Sequence, residues 1–408
     1  MRMFQKLIAI TAAVALLGLT ACSGDEDEES AFTYTSSSGK CQLIAEGDVY
    51  MGMTLSIGGD VWPVPEFVDI ANMALTEINA GGGLGNGKKI GAILCDSQCL
   101  PSAAHESMDE LLAVKETHGI DLSVIVGPSC SYVAVEIIEA TMNAKIPMIG
   151  TSTESAVFTN YDDDGYYFRT IASGALLGTA QGAYLANVAN LEKLAMVYPD
   201  DAWGAGMAFQ TGNSFAALVG ADECIWTDLD NDGDGVNEEW QIDCPDIIQL
   251  HPYRHEDEDA SNDLDGAATV AALDGFNAAN TGVFLMGYDA DTDFSGLFSA
   301  LSGATWSSGT APYYELSNSL TDQFWTIVGD SSLLLGVGGI TSATPDSAAA
   351  EHLATALMAA TGKAVANYWG NTYDGMYMAA AGMALAADPT DGQSVRDALQ
   401  KTHSGTKV

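Results

Sequence analysis

Positive charge is scarce in this chain. Its 408 residues hold 14 Lys+Arg against 55 Asp+Glu, a formal net charge of −41. A phosphate backbone is bound by a basic surface, so nucleic acid is excluded as a partner. Histidine is scarce too. The six are scattered and offer no base for a catalytic triad. Nucleophile elbow, Walker phosphate loop and zinc-protease pattern are all missing, which argues against an enzyme. The nearest thing to a zinc pair, His251 and His255 in "HPYRHEDED", reads as polar surface loop. Beyond the N-terminus no run is long and apolar enough to span a bilayer.

The N-terminus is different. "MRMFQKLIAITAAVALLGLTAC" joins a basic start, Arg2 and Lys6, to an apolar stretch from Leu7 to Leu19. That is the pattern of a secretory signal, too short for a comfortable membrane span. Its end, Leu19-Thr20-Ala21-Cys22, resembles a bacterial lipobox, in which the cysteine is diacylated and becomes the new N-terminus. An ordinary signal peptide with a chance cysteine is the alternative. Residues 1–22 are therefore read as a lipoprotein signal, with Cys22 as the lipid anchor on a membrane at the cell envelope. Residues 23–44 are read as an acidic flexible tether. The acidic surface keeps an exported protein soluble.

If lipid takes Cys22, six cysteines remain: Cys41, Cys95, Cys99, Cys130, Cys224 and Cys244. An even number in an exported chain points to disulfides. Proximity in sequence pairs Cys224 with Cys244.

From Val49 onward strands and helices alternate. "VYMGMTLSI" reads as a strand and "EFVDIANMALTEINA" as an amphipathic helix stopped by three glycines. "KKIGAILCD", "IDLSVIVG" and "IPMIGT" read as further strands, separated by helices from Pro101 and from Tyr132. A second series follows Arg169, with strands "KLAMVYPD" and "TGVFLMGYD". This is the α/β class, with parallel sheets covered by helices. Two such series joined by a hinge make two Rossmann-like lobes, with ligands beyond the carboxyl ends of the strands.

In "IVGPSCSYVAVEII" a strand hands over to a helix through three small polar residues, Ser129, Cys130 and Ser131. Free N–H groups and the helix dipole favour an anion there, and a hydroxyl adds a donor. Alternatively Ser131 merely caps the helix.

A separate motif, "DLDNDGDGVNEE", fits the calcium-loop pattern D-x-D-x-D-G-x5-E. Asp228, Asp230 and Asp232 would give side-chain oxygens, Asp234 its carbonyl and Glu239 both carboxylate oxygens. Gly233 permits the sharp turn. The flanking helices of an EF-hand are missing, and Cys224 and Cys244 bracket the loop instead. The expected cofactor is a structural Ca2+; a solvated acidic loop is the alternative.

Several stretches, in order, resemble the type I periplasmic solute-binding proteins, specifically the leucine/isoleucine/valine-binding receptors of ABC transporters. They are "EINAGGGLGNGKKIGAILCDSQCLPSAA", "VIVGPSCSYVAVEIIEATMNAKIPMIGTSTESAVFT", "YYFRTIAS", "KLAMVYPDDAWGAGMA" and "VFLMGYDADTDFSGLFSA". The resemblance implies lobe 1 over 45–170, continued by 345–408, and lobe 2 over 171–344 with an inserted hairpin at 224–244. It implies that Ser131 holds the carboxylate of a small ligand, and that a Cys99–Cys130 disulfide braces that site. Cys41 and Cys95 are then left to pair.

In the family the loop after the next strand grips the ligand. An ungapped match puts Ser152 and Glu154 at contact positions, with Thr153 between. Glu154 departs from the family's usual Thr. Either its carboxylate meets an ammonium group, or Thr153 takes the role and Glu154 points to solvent. Trp203, Tyr288 and Trp62 match family aromatics around the ligand, with core packing as the alternative for each. The family's acidic partner for the ligand amine falls at Ser317 or Asn318, with Glu315 two residues away, a departure from a simple branched-chain amino acid site. The resemblance thus implies a non-enzymatic, lipid-anchored receptor that hands an amino-acid-like, amide or carboxylate ligand to an ABC permease. A sensory or surface lipoprotein on the same fold is the alternative. The family continues for several tens of residues after a helix like "QSVRDALQK", so the intact product is expected to be longer.

Overall fold

A computed structural model describes residues 40–59, 61–221, 224, 226–229, 239–254, 263–288, 290–317, 338–340, 347–366 and 368–402. The signal and most of the tether, the centre of the calcium-loop motif, His255 and Asn318 lie outside them.

The first sheet has six strands: β1 (Cys41–Ala45), β2 (Val49–Leu55), β3 (Ile90–Asp96), β4 (Leu122–Val126), β5 (Met148–Gly150) and β6 (Tyr167–Arg169), in the order β1-β3-β2-β4-β5-β6. From β3 to β6 every neighbouring pair is parallel. The edge strand β1 runs antiparallel to β3, with Cys41 opposite Cys95. That corrects two expectations. The sheet is not parallel throughout, and the end of the segment read as tether is a strand. "CQLIA" is a short segment whose partner lies 54 residues on at Cys95, beyond what local pattern reveals.

Helices cover both faces. On one lie α1 (Glu66–Ala80) and three helices from the far end of the chain. These are α8 (Ala348–Thr361), α9 (Trp369–Leu385) and α10 (Gly392–Thr402). Phe67, Ile70, Ala74 and Leu75 of α1 share a core with Met51, Met53, Met376 and Leu399. The 3–4 spacing in α1 makes that apolar stripe. On the other face, α2 (Pro101–His118) and α3 (Ser131–Ala144) bury Met108, Val133 and Ile137 against Ile125 and Met148. Pro101 opens α2, and Gly119, left-handed at φ 70, closes it with its N–H on Lys115 O.

The second sheet is parallel, in the order β10-β7-β11-β12-β13. Its strands are β7 (Lys193–Pro199), β10 (Ile248–Tyr253), β11 (Thr281–Met286), β12 (Tyr313–Ser317) and β13 (Gly338–Ile340). The helices α4 (Gly174–Asn187) and α5 (Gly204–Leu218) cover one face, burying Leu185 and Phe215. The other face carries α6 (Gly266–Phe276) and α7 (Ala290–Ser302), whose Leu273, Phe294 and Phe298 pack there. A small antiparallel hairpin, β8 (Trp226–Leu229) and β9 (Glu239–Ile242), forms a separate two-stranded sheet whose Trp226 and Ile242 pack on the core of the second. Among the described residues no helix is long and apolar enough to cross a membrane.

Three disulfides join Cys41 to Cys95, Cys99 to Cys130 and Cys224 to Cys244, as expected.

Candidate functional site

The carboxyl ends of β2, β4 and β5 bring together three loops rich in hydroxyls. At the end of β4, Gly127 has φ 105, and a Cβ there would stand 1.9 Å from Thr54 O. Glycine thus lets the β4–α3 turn lie directly on the end of β2. The turn delivers Ser131 to the first position of α3. Cys130, not Ser131, is the N-cap, and it makes no side-chain cap bond. The Ser131 hydroxyl, buried, instead accepts the Ser155 N–H at 3.2 Å. A hydroxyl that accepts still has its proton to give. Ser152 is buried on the neighbouring loop, and its Oγ has no partner among the described residues. A buried polar atom in that state is costly unless something completes it.

The loop after β5 is held from behind. Arg169 Nη1 donates to the carbonyls of Thr153, Glu154 and Ser155 at 3.4, 3.3 and 2.8 Å. Burial lowers the Arg169 pKa, while the neighbouring Tyr167 and the negative charge of Glu154 act the other way. The Thr153 hydroxyl is paired with Tyr167. Burial pushes the Tyr167 phenol up, so it stays protonated. Thr153 is therefore engaged in the loop's own structure.

Glu154 does not point to solvent; it is 2% exposed. Its Oε1 accepts the Trp203 indole N–H at 2.8 Å and the Tyr368 hydroxyl at 3.3 Å. The expectation of a solvent-facing carboxylate fails because two rings from separate segments, Trp203 and Tyr368, bond to it in the interior. Trp203 precedes α5 and lies 4.7 Å, centroid to centroid, from Tyr288, which follows β11. Tyr288 in turn meets Tyr132 of α3 edge-on at 5.7 Å. On the opposite flank Trp62, after β2, stands edge-on to Tyr368 at 5.8 Å. Five rings thus run in a chain that passes through one carboxylate.

Asp201 organises the side belonging to the second sheet. Its Oδ1 accepts the N–H groups of Trp203 and Gly204 at 2.8 and 2.9 Å, and its Oδ2 accepts the Tyr288 hydroxyl at 2.8 Å. Burial and the Asp201 charge push the Tyr288 phenol well up, and burial with the Glu154 charge does the same for Tyr368. Both remain neutral donors. The two sides touch directly where Ser155 Oγ donates to Ala202 O at 2.5 Å.

The structure therefore gathers Ser131, Ser152, Thr153, Glu154, Trp203 and Tyr288 into one region, with Trp62 joined through Tyr368. It does not bring Glu315 there. That residue is buried within β12, where it accepts the Tyr313 hydroxyl at 2.6 Å. Sequence reasoning gave no role to Tyr368, Tyr132, Asp201 or Arg169. Arg169 and Asp201 do fall in quoted matching stretches, "YYFRTIAS" and "KLAMVYPDDAWGAGMA", so position alone offered a signal. Tyr368 had none: it is a left-handed residue at φ 70 before α9.

Residues 49–227 match the family model for periplasmic binding proteins. The matched segment, a little under half of the chain, is similar to that family. A curated relative, an amino acid binding protein of Pseudomonas aeruginosa, is 28% identical over 169 residues, 41% of this chain. The match spans 42% of that relative's length. Among solved structures, a leucine binding protein from Thermotoga maritima aligns with TM-score 0.63 at 14% identity, covering 87% of each chain. A solute binding protein from R. palustris, in complex with benzoate, aligns with TM-score 0.61 at 18% identity, covering 86% of this chain and 85% of that one. The fold is that of the type I periplasmic binding proteins.

Proposed function

We propose that this chain captures a small carboxylate-bearing solute between the loops of its two sheets and delivers it to an ABC importer. One observation carries the reading. The Ser131 hydroxyl sits in the first turn of α3 and accepts the Ser155 N–H, and the same loop holds Ser152, whose buried Oγ has no partner among the described residues. Helix N–H groups, a donor hydroxyl and an unfilled polar atom together suit a carboxylate. The named relatives bind amino acids, leucine and benzoate, all of which carry that group. Binding and lobe closure, without bond chemistry, is the role this supports. A thermal-shift screen of amino acids, short amides, urea and small carboxylates tests it. Stabilisation by at least one carboxylate is expected, and reduced on Ser131→Ala; a flat response to every compound sinks it.

Two further assignments belong to this reading. The lipobox-like Cys22 anchors the chain at the cell envelope, which metabolic labelling with a fatty acid and a Cys22→Ala control would check. The acidic loop between β8 and β9 binds a structural Ca2+. The hairpin register sets Leu229 opposite Glu239 and Asp228 opposite Trp240, so the two ends of the motif are neighbours, and Cys224–Cys244 closes the base. EDTA is expected to lower the melting temperature, and Asp228→Ala with Glu239→Ala to remove that sensitivity. No bound metal by native mass spectrometry in millimolar-range calcium would refute the assignment.

A further inference from the structure

The carboxylate end of the site leaves open what the other end of the ligand carries. Glu154 lies one residue from Ser155, whose N–H is on the Ser131 hydroxyl. A ligand gripped at Ser131 therefore reaches Glu154 within a short molecule. The acidic side chain there is framed by rings rather than by carbonyls. The carbonyls of residues 152–155 already have donors. The carbonyls of Thr153, Glu154 and Ser155 receive Arg169, that of Glu154 also receives Gly174 N–H, and that of Ser152 receives Glu154 N–H. A primary ammonium has three N–H bonds to place and is strongly hydrated. A methylated ammonium has few or none, and is held by charge and by ring faces.

We propose that the solute is a short zwitterion with a methylated ammonium group, which sits against the Glu154 carboxylate between the rings of Trp203 and Tyr368. This rests on the solute-binding reading and narrows it. Arg169 is the competing charge. If it fully compensates Glu154, the ring region takes an uncharged tail instead, as the test below reveals.

Calorimetric titration of the full chain in detergent, with three probes, decides the matter. Trimethylglycine carries the cation, 3,3-dimethylbutanoate is its neutral carbon counterpart of the same shape, and glycine is its primary-ammonium counterpart. Trimethylglycine is expected to bind roughly ten-fold more tightly than either of the others. Glu154→Gln is expected to erase the preference over 3,3-dimethylbutanoate, and Trp203→Phe, which keeps a ring, to retain most of it. The unmodified chain alone suffices if a variant does not fold. Equal or tighter binding of 3,3-dimethylbutanoate, tighter binding of glycine, or no binding of trimethylglycine each overturns the proposal. If other compounds of the thermal-shift screen still bind, the solute-binding reading survives that failure; if none does, both fall.

Discussion

The two sides of the candidate site are built differently. The side from the first sheet is fixed many times over. Cys99–Cys130 ties the loop after β3 to the start of α3. Asp96 accepts the N–H groups of Ile57, Gly58 and Gln98 at 2.9, 3.0 and 2.9 Å, binding the loop after β2 to the same place. Arg169 then holds three successive carbonyls of the loop after β5. The side from the second sheet depends on one carboxylate, Asp201, which positions both Trp203 and Tyr288. A site with one wall fixed many times over and another keyed largely through Asp201 is suited to keep the proposed carboxylate pocket prepared while the other wall moves in.

That contrast can be broken by substitution. The largest effect is expected from Cys99→Ala with Cys130→Ala. Opening a loop of 31 residues should cost roughly 3–4 kcal/mol of stability in urea unfolding. A loss below about 1 kcal/mol would mean that the hydrogen bonds alone prepare the wall. Next is Asp201→Ala, expected to cost about 2 kcal/mol through the lost turn bonds and the Tyr288 hydroxyl. Its signature is selective: tryptophan emission should shift to the red while the first wall, followed by exchange at Ser155 N–H, stays protected. Ser131→Ala should lower affinity for a carboxylate ligand by roughly 1–2 kcal/mol with little change in melting. The smallest effect sharpens the comparison from outside the site. Burial raises the Glu315 carboxyl pKa, against a lowering by the Tyr313 hydrogen bond. The folded chain therefore holds that proton more tightly than the unfolded one. The stability it contributes is complete below the unfolded value and is lost as pH rises through the folded one. Glu315→Gln should flatten that dependence and raise stability near neutral pH, leaving ligand affinity unchanged.

Much of this was legible in the sequence for a physical reason. Periodic apolar spacing gave α1 and α2 to within a residue, because Phe67, Ile70 and Ala74, or Ala104, Met108 and Leu111, bury one stripe. The hydroxyl wall was legible because it is local, a strand end followed by a helix start. The ring wall was only partly so. Trp203 and Tyr288 stand at strand ends, but Tyr368 meets Glu154 across 214 residues, and no window of sequence holds both. Whether Glu154 faced solvent or the interior was likewise undecided until the rings covering it were in place. β1 stayed hidden for the same reason, since its partner lies fifty residues on.

The position of Cys41 has a mechanical consequence. It is the first residue of β1, directly opposite Cys95 in β3. A pull on the chain from its N-terminal side reaches the protein at this residue. Without the bond, the force would peel β1 from β3 one hydrogen bond at a time, the weakest way to load a strand pair. With it, the tension passes at once into β3, which is bonded to strands on both edges and buried on both faces. The edge strand is thereby moored to a strand inside the sheet, and drag on it is borne by covalent bonds before any hydrogen bond of β1 is strained.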